Sequence, residues 1–128
     1  MKRDELSMNT GLLYERLGAA AGIARIVDDI MAAHLTNPVV GPRFRNIGDL
    51  DHAKKMACDF FCAGAGGPEK YVGKDMRAAH RGMNVNEQEY VAVMDDIMGA
   101  LGKNGIDEAT KKDVLAILYS LKGDIVRQ

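Results

Sequence analysis

The stretch Tyr71-Val72-Gly73-Lys74-Asp75-Met76-Arg77-Ala78-Ala79-His80-Arg81-Gly82-Met83 constrains this chain more than any other. It carries the start and stop signals of a helix with almost no room between them. Asp75 is placed to cap the N-terminus, and Gly82 to end the helix shortly after His80. Isolated helices shorter than about 12–15 residues are marginal in water. The segment therefore needs partners from elsewhere in the chain, or a bound group, to keep its shape. His80 lies near its end, between Met76 and Met83, and is the first candidate for a functional side chain.

The rest of the chain reads as helices. Thr10 is placed to cap a short one, Leu12 to Leu17, ended by Gly18. Gly22 then opens a longer helix, in which Ile23, Ile26, Val27, Ile30, Met31 and His34 follow helical spacing until Asn37-Pro38. His34 reads as a helix-end residue satisfied by its neighbours. Val39 to Ile47 is a compact corner with Pro42 and Phe44. Asp49 caps the next helix, whose apolar face is Leu50, Ala53, Met56, Ala57, Phe60 and Phe61. The run Ala63-Gly64-Ala65-Gly66-Gly67-Pro68 ends it. Asn86 and Glu89 form a capping-box pattern for a helix from Glu87 to about Leu101, and Asp107 caps a last one that runs to about Val126. No segment alternates with period two over strand length, so the fold class is all-α.

Charge and length narrow the function. The chain has 128 residues and a formal net charge of -1, so no basic field points to nucleic acid or an anionic surface. No apolar run reaches the roughly 20 residues of a membrane span, and the polar start lacks a secretory core. The two cysteines, Cys58 and Cys62, are four apart on one helical pattern and read as buried thiols of a reducing, cytoplasmic compartment. Methionine is abundant, at eight residues, and such side chains fill irregular cores or line cofactor surfaces.

Four blocks carry a family likeness: Leu13-Tyr14-Glu15-Arg16-Leu17-Gly18, Ile26-Val27-Asp28-Asp29, Gly66-Gly67-Pro68-Glu69-Lys70-Tyr71, and Gly73-Lys74-Asp75-Met76-Arg77-Ala78-Ala79-His80. Together they resemble the truncated haemoglobins, most closely the group I branch. The block from Gly66 to His80 is the specific part. The resemblance implies a truncated globin fold, a two-over-two helical sandwich around a haem. Residues 10–128 would then be a single truncated globin domain behind a flexible lead-in at residues 1–9. It assigns His80 as the proximal iron ligand, Phe44 as the residue packed on the porphyrin, and Phe60 and Phe61 as apolar pocket residues. Tyr71 and Lys74 fall near the expected propionates, and Met76 and Met83 complete the cofactor-binding set.

Two departures from the family pattern matter. Met31 stands where the family usually has a tyrosine that points at bound ligand. Ala53 and Ala57 stand at two positions usually held by glutamine or another hydrogen-bonding residue. Met31, His52, Ala53, Met56 and Ala57 thus form the expected distal pocket. A bound dioxygen carries partial negative charge, and each neutral donor nearby contributes about 0.5–1.5 kcal/mol, or up to roughly tenfold in retention. Met31, Ala53 and Ala57 supply none, which predicts weak retention and easier oxidation to ferric iron.

Three readings follow. The first is a haem protein with an apolar pocket that reversibly binds diatomic gases (O2, NO, CO), with nitric oxide dioxygenase or peroxidase-like chemistry as an extension. The second is a six-coordinate redox protein, in which Met56, Met31 or His52 opposes His80 as the sixth ligand and the protein passes electrons to a partner. The third is a haemless helical interaction module. With no Cys-x-x-Cys-His motif, the expected cofactor is one non-covalent haem b per chain. A reductase or electron partner and a monomer or weak dimer complete the expectation.

Overall fold

The computed structural model describes residues 12–128, so the lead-in at residues 1–9 and the Thr10 cap lie outside the described residues. Seven helices are present among them: α1 (Leu13–Arg16), α2 (Ala19–Thr36), α3 (Gly41–Arg45), α4 (Leu50–Gly64), α5 (Met76–His80), α6 (Glu87–Lys103) and α7 (Glu108–Ile125). The only β pairing among the described residues is an isolated bridge between Val85 and Val126. The chain is all-α, in the two-over-two arrangement: α2 packs on α4 and α6, and α6 packs on α7. No helix among the described residues is long and apolar enough to cross a membrane.

The caps fall where local chemistry puts them. The Asp49, Asp75 and Asp107 carboxylates accept from the backbone N–H groups of His52, Ala78 and Thr110, three residues on in each case. Asn86 and Glu89 form a complete capping box at the start of α6. One boundary corrects the sequence reading. α2 starts at Ala19, after Gly18 in the left-handed region at φ 96°, and Gly22 is buried inside its first turn. A Cβ at Gly22 would stand 2.4 Å from the Leu17 carbonyl oxygen, so this glycine serves a close approach of α1 to α2 and does not open the helix.

The core is built mainly from α2. Ile23, Ile26, Val27, Ile30 and Met31 pack with Leu17, Cys62, Ile97, Ala100, Leu101, Val114 and Leu118. A smaller cluster, Val85, Tyr90 and Ile125, lies beside Met76 and Leu121. α4 behaves differently. Its apolar face is strong, yet Cys62 is its one buried residue, and Ala53, Met56, Ala57, Phe60 and Phe61 stay half-buried. An apolar face left half-covered faces a cavity. Both cysteines are free thiols, and burial with the neighbouring Glu69 pushes Cys62 up to about 11.

Candidate functional site

α5 buries none of its residues and is held from outside. The Gly82 N–H donates to the Gln128 carbonyl at 3.1 Å, and the Arg127 N–H donates to the Val85 carbonyl at 2.8 Å. The Arg77 guanidinium reaches Asp124 and Gln128. From the other side Arg43 donates to the Met83 carbonyl at 3.1 Å and forms a two-point pair with Glu89. This pairing, with the Asn86 N–H, holds the Glu89 carboxyl below its usual range. Glu89 therefore serves both as a helix cap and as the anchor of the corner.

These supports aim His80 into a cavity of about 480 Å³, within the range of small-molecule and cofactor sites. Met31 of α2, Phe44 and Ile47 of the corner, and Ala53, Met56, Ala57, Phe60 and Phe61 of α4 form one side. Tyr71, Met76, Ala79, His80, Tyr90, Val93, Ile97, Leu118, Leu121 and Ile125 form the rest. A second lobe of about 350 Å³ shares Phe44, Ile47, His80, Tyr90, Val93 and Ile125, and adds Arg43, Met83 and Glu89.

The imidazole presents one nitrogen that could hold a metal. His80 Nδ1 lies 2.8 Å from the Met76 carbonyl oxygen. A carbonyl can only accept, so Nδ1 carries the proton and Nε2 keeps its lone pair. Nε2 has no hydrogen-bond partner among the described residues. The other polar groups of the main cavity wall are occupied. The Tyr71 hydroxyl donates to the Lys74 carbonyl at 2.6 Å, and the buried Tyr90 hydroxyl to the Leu118 carbonyl at 2.5 Å. What remains is an apolar space with one available imidazole nitrogen, which fits a flat, largely apolar metal-bearing group.

Of the residues singled out from sequence, Met31, Phe44, Ala53, Met56, Ala57, Phe60, Phe61, Tyr71, Met76 and His80 line the main cavity, and Met83 lines the adjoining lobe. Two lie elsewhere. His52 is exposed on the first turn of α4, where its backbone N–H meets the Asp49 cap, and Lys74 is exposed in the loop before α5. The sequence reading missed Arg43 and Glu89, along with the wall formed by Tyr90, Val93, Ile97, Leu118, Leu121 and Ile125. Its only signal for the wall was the apolar periodicity of α6 and α7, which marks core and cavity alike.

A two-layer helical sandwich that turns one available imidazole nitrogen into an apolar cavity is the architecture of a globin. The chain belongs to the Bacterial-like globin family, whose model matches residues 12–127. It is similar to the Group 1 truncated hemoglobin of Tetrahymena pyriformis, 28% identical over 114 residues that cover 89% of this chain and 93% of the relative. It is also similar to the Group 1 truncated hemoglobin GlbN of Synechocystis, 30% identical over 111 residues that cover 82% of this chain and 87% of the relative. The crystal structure of the Tetrahymena pyriformis protein in its Fe(III) form superposes with a TM-score of 0.88 at 27% identity, covering 92% of this chain and all of that one. The expected fold and the likeness to group I truncated haemoglobins are thereby borne out, and the chain is by family a haem-binding globin.

Proposed function

We propose that residues 10–128 form one domain that holds a single haem b non-covalently, with His80 as the proximal ligand, and binds diatomic gases on the opposite side. The observation that carries this reading is the His80 imidazole, tied to the Met76 carbonyl at 2.8 Å with Nε2 left for a metal. When bound, the haem supplies the iron centre at which a small gas attaches. This chain's residues do the rest. Phe44, Phe60, Phe61, Met76 and Met83 provide apolar contact, and the loop of Tyr71 and Lys74 stands for the propionate side. The absence of a Cys-x-x-Cys-His motif supports non-covalent binding.

Met31, Ala53 and Ala57 offer a bound ligand no hydrogen-bond donor, and the two tyrosine hydroxyls of the wall are already spent. Retention of dioxygen should be weak, and oxidation of the ferrous protein fast. The first test is the spectrum of the purified chain. A ferrous five-coordinate form that takes up carbon monoxide rapidly supports the reading, and a well-folded chain that stays colourless with added haemin defeats it. Nitric oxide or peroxide turnover would need electrons from a reductase. A cytoplasmic location and a monomer or weak dimer complete the reading, the latter checked by sedimentation.

A second reading has its own observation. The thioethers of Met31 and Met56 line the same cavity as His80. Met56 Cε packs against Gly73, 2.5 Å from where a Cβ there would stand. A low-spin six-coordinate ferrous spectrum without added ligand, lost in Met56→Leu or Met31→Leu, would favour electron transfer over gas binding. Unchanged spectra in both variants exclude it.

A further inference from the structure

His34 is buried at 4% exposure, one turn beyond Met31, and the gas-binding reading gives it no task. Its surroundings are specific. The imidazole stacks on the Phe44 ring with centroids 4.4 Å apart and planes 28° from parallel. Its Nδ1 lies 2.7 Å from Asp96 Oδ2 on α6. The same carboxylate oxygen accepts from Asn37 Nδ2 at 3.0 Å, and Asn37 Oδ1 accepts from the Val39 N–H at 2.9 Å. Phe44 in turn is wall to both lobes of the cavity. One carboxylate on α6 therefore grips the end of α2 and the turn leading into the corner, and the imidazole it holds forms the back of an aromatic ring in the ligand space.

The parts are not interchangeable with ordinary core packing. Phe44 is half-buried on a five-residue helix whose one buried residue is Gly41, and it packs on the edge of the main core. An aliphatic side chain at position 34 would fill the space without fixing the ring plane. A stacked imidazole, itself oriented by a hydrogen bond to a carboxylate, fixes the plane as well. Burial pushes the His34 imidazole below its ordinary value while Asp96 pulls it up, and a neutral ring that donates from Nδ1 satisfies both.

We propose that His34 is a positioning residue for the ligand pocket: held by Asp96, it sets the orientation of Phe44 and through it the shape of the space beside His80. The proposal rests on the haem reading for its functional consequence, but the coupling of His34 to Phe44 does not.

The test is a double-mutant cycle with a rescue arm. In the haem-loaded protein, His34→Leu should change the carbon monoxide association rate by at least about twofold, the lower end for residues in contact. In a Phe44→Leu background the same substitution should leave that rate unchanged. His34→Phe, which keeps a ring against Phe44 but loses the Asp96 bond, should give a rate between that of His34→Leu and the wild type. Equal effects in both backgrounds, or a His34→Phe variant indistinguishable from the wild type or from His34→Leu, overturn the proposal. Should His34→Leu fail to fold, Asp96→Asn carries the same cycle, since it loosens the imidazole without changing volume. The Phe44 ring resonances of the haem-free chain supply an independent readout. They should shift in His34→Leu, and unmoved resonances count against the coupling. A chain that takes up no haem but shows the shift defeats the haem reading and leaves the positioning role standing.

Discussion

The two histidines His34 and His80 share a local plan and differ in everything around it. Each ends a helix, and each bonds an oxygen through Nδ1, Asp96 for His34 and the Met76 carbonyl for His80. His34 belongs to a helix with seven buried residues, and its acceptor is a charged carboxylate on another helix. His80 belongs to a helix with none, and its acceptor is one turn back on its own backbone. A carboxylate across an interface locks helices together. A local carbonyl fixes a tautomer and leaves the second nitrogen free. On the proposed reading, His34 ties helices together and orients Phe44, while His80 keeps a nitrogen for the haem.

Breaking each histidine should give opposite signatures. His80→Ala is expected to abolish haem retention, measured by transfer to apomyoglobin. It should also remove the ligand-linked part of stability, about 4 kcal/mol for a ligand at a thousand times its dissociation constant. In urea unfolding of the haem-free chain, the same variant should cost less than about 1 kcal/mol, because α5 buries nothing. His34→Ala should reverse the pattern. It opens a cavity and strips Asp96 of a partner, so the haem-free chain should lose about 2–4 kcal/mol while the loaded protein keeps its haem. Equal losses for the two variants in the haem-free chain would end the comparison.

The two regions were also unequally legible in the sequence. The caps at Asp49, Asp75, Asn86 and Asp107 are decided within four residues of chain, and all four were readable. So was the apolar face of α2 from Ile23 to His34, because 3.6-residue periodicity reports burial directly. Gly22 misled because a close approach between helices and a helix start both call for glycine. The Arg43–Glu89 pair was invisible, since nothing local says that a capping glutamate also receives a guanidinium from 46 positions away. Nothing in the local pattern sets Tyr90 and Leu118 apart, and the structure makes them core and cavity wall at once. Which stretch of an apolar face meets empty space depends on the element across from it.

Arg43 joins the two regions, and its removal should have an intermediate effect. Arg43→Ala frees the Met83 carbonyl beyond His80 and leaves Glu89 with its capping role alone. The expected cost is about 1–2 kcal/mol, with faster haem loss as well. The pair also sets an acid limit. Glu89 is depressed in the folded chain, chiefly by Arg43, so its contribution is fully present above the unfolded value near 4.3 and fades as pH falls through the lower folded value. Wild-type stability should decline below about pH 4.5 more steeply than that of Arg43→Ala, in urea titrations at stepped pH.

The smallest expected effects concern two caps of the same design on helices of unlike standing. Asn86→Ala removes the cap of a seventeen-residue helix that contributes Tyr90, Ile97 and Leu101 to the core. It should cost about 1 kcal/mol by urea unfolding and leave haem loss unchanged. Asp75→Ala removes the cap of five-residue α5. Fraying there exposes no buried side chain, so the unfolding midpoint of the haem-free chain should barely move. The first turn it unravels nevertheless contains Met76, whose carbonyl holds His80 Nδ1. Asp75→Ala should therefore speed haem loss severalfold at nearly constant stability, because the cap acts on the aim of an imidazole and not on the core. A parallel fall in both quantities would show that α5 supports the fold as α6 does.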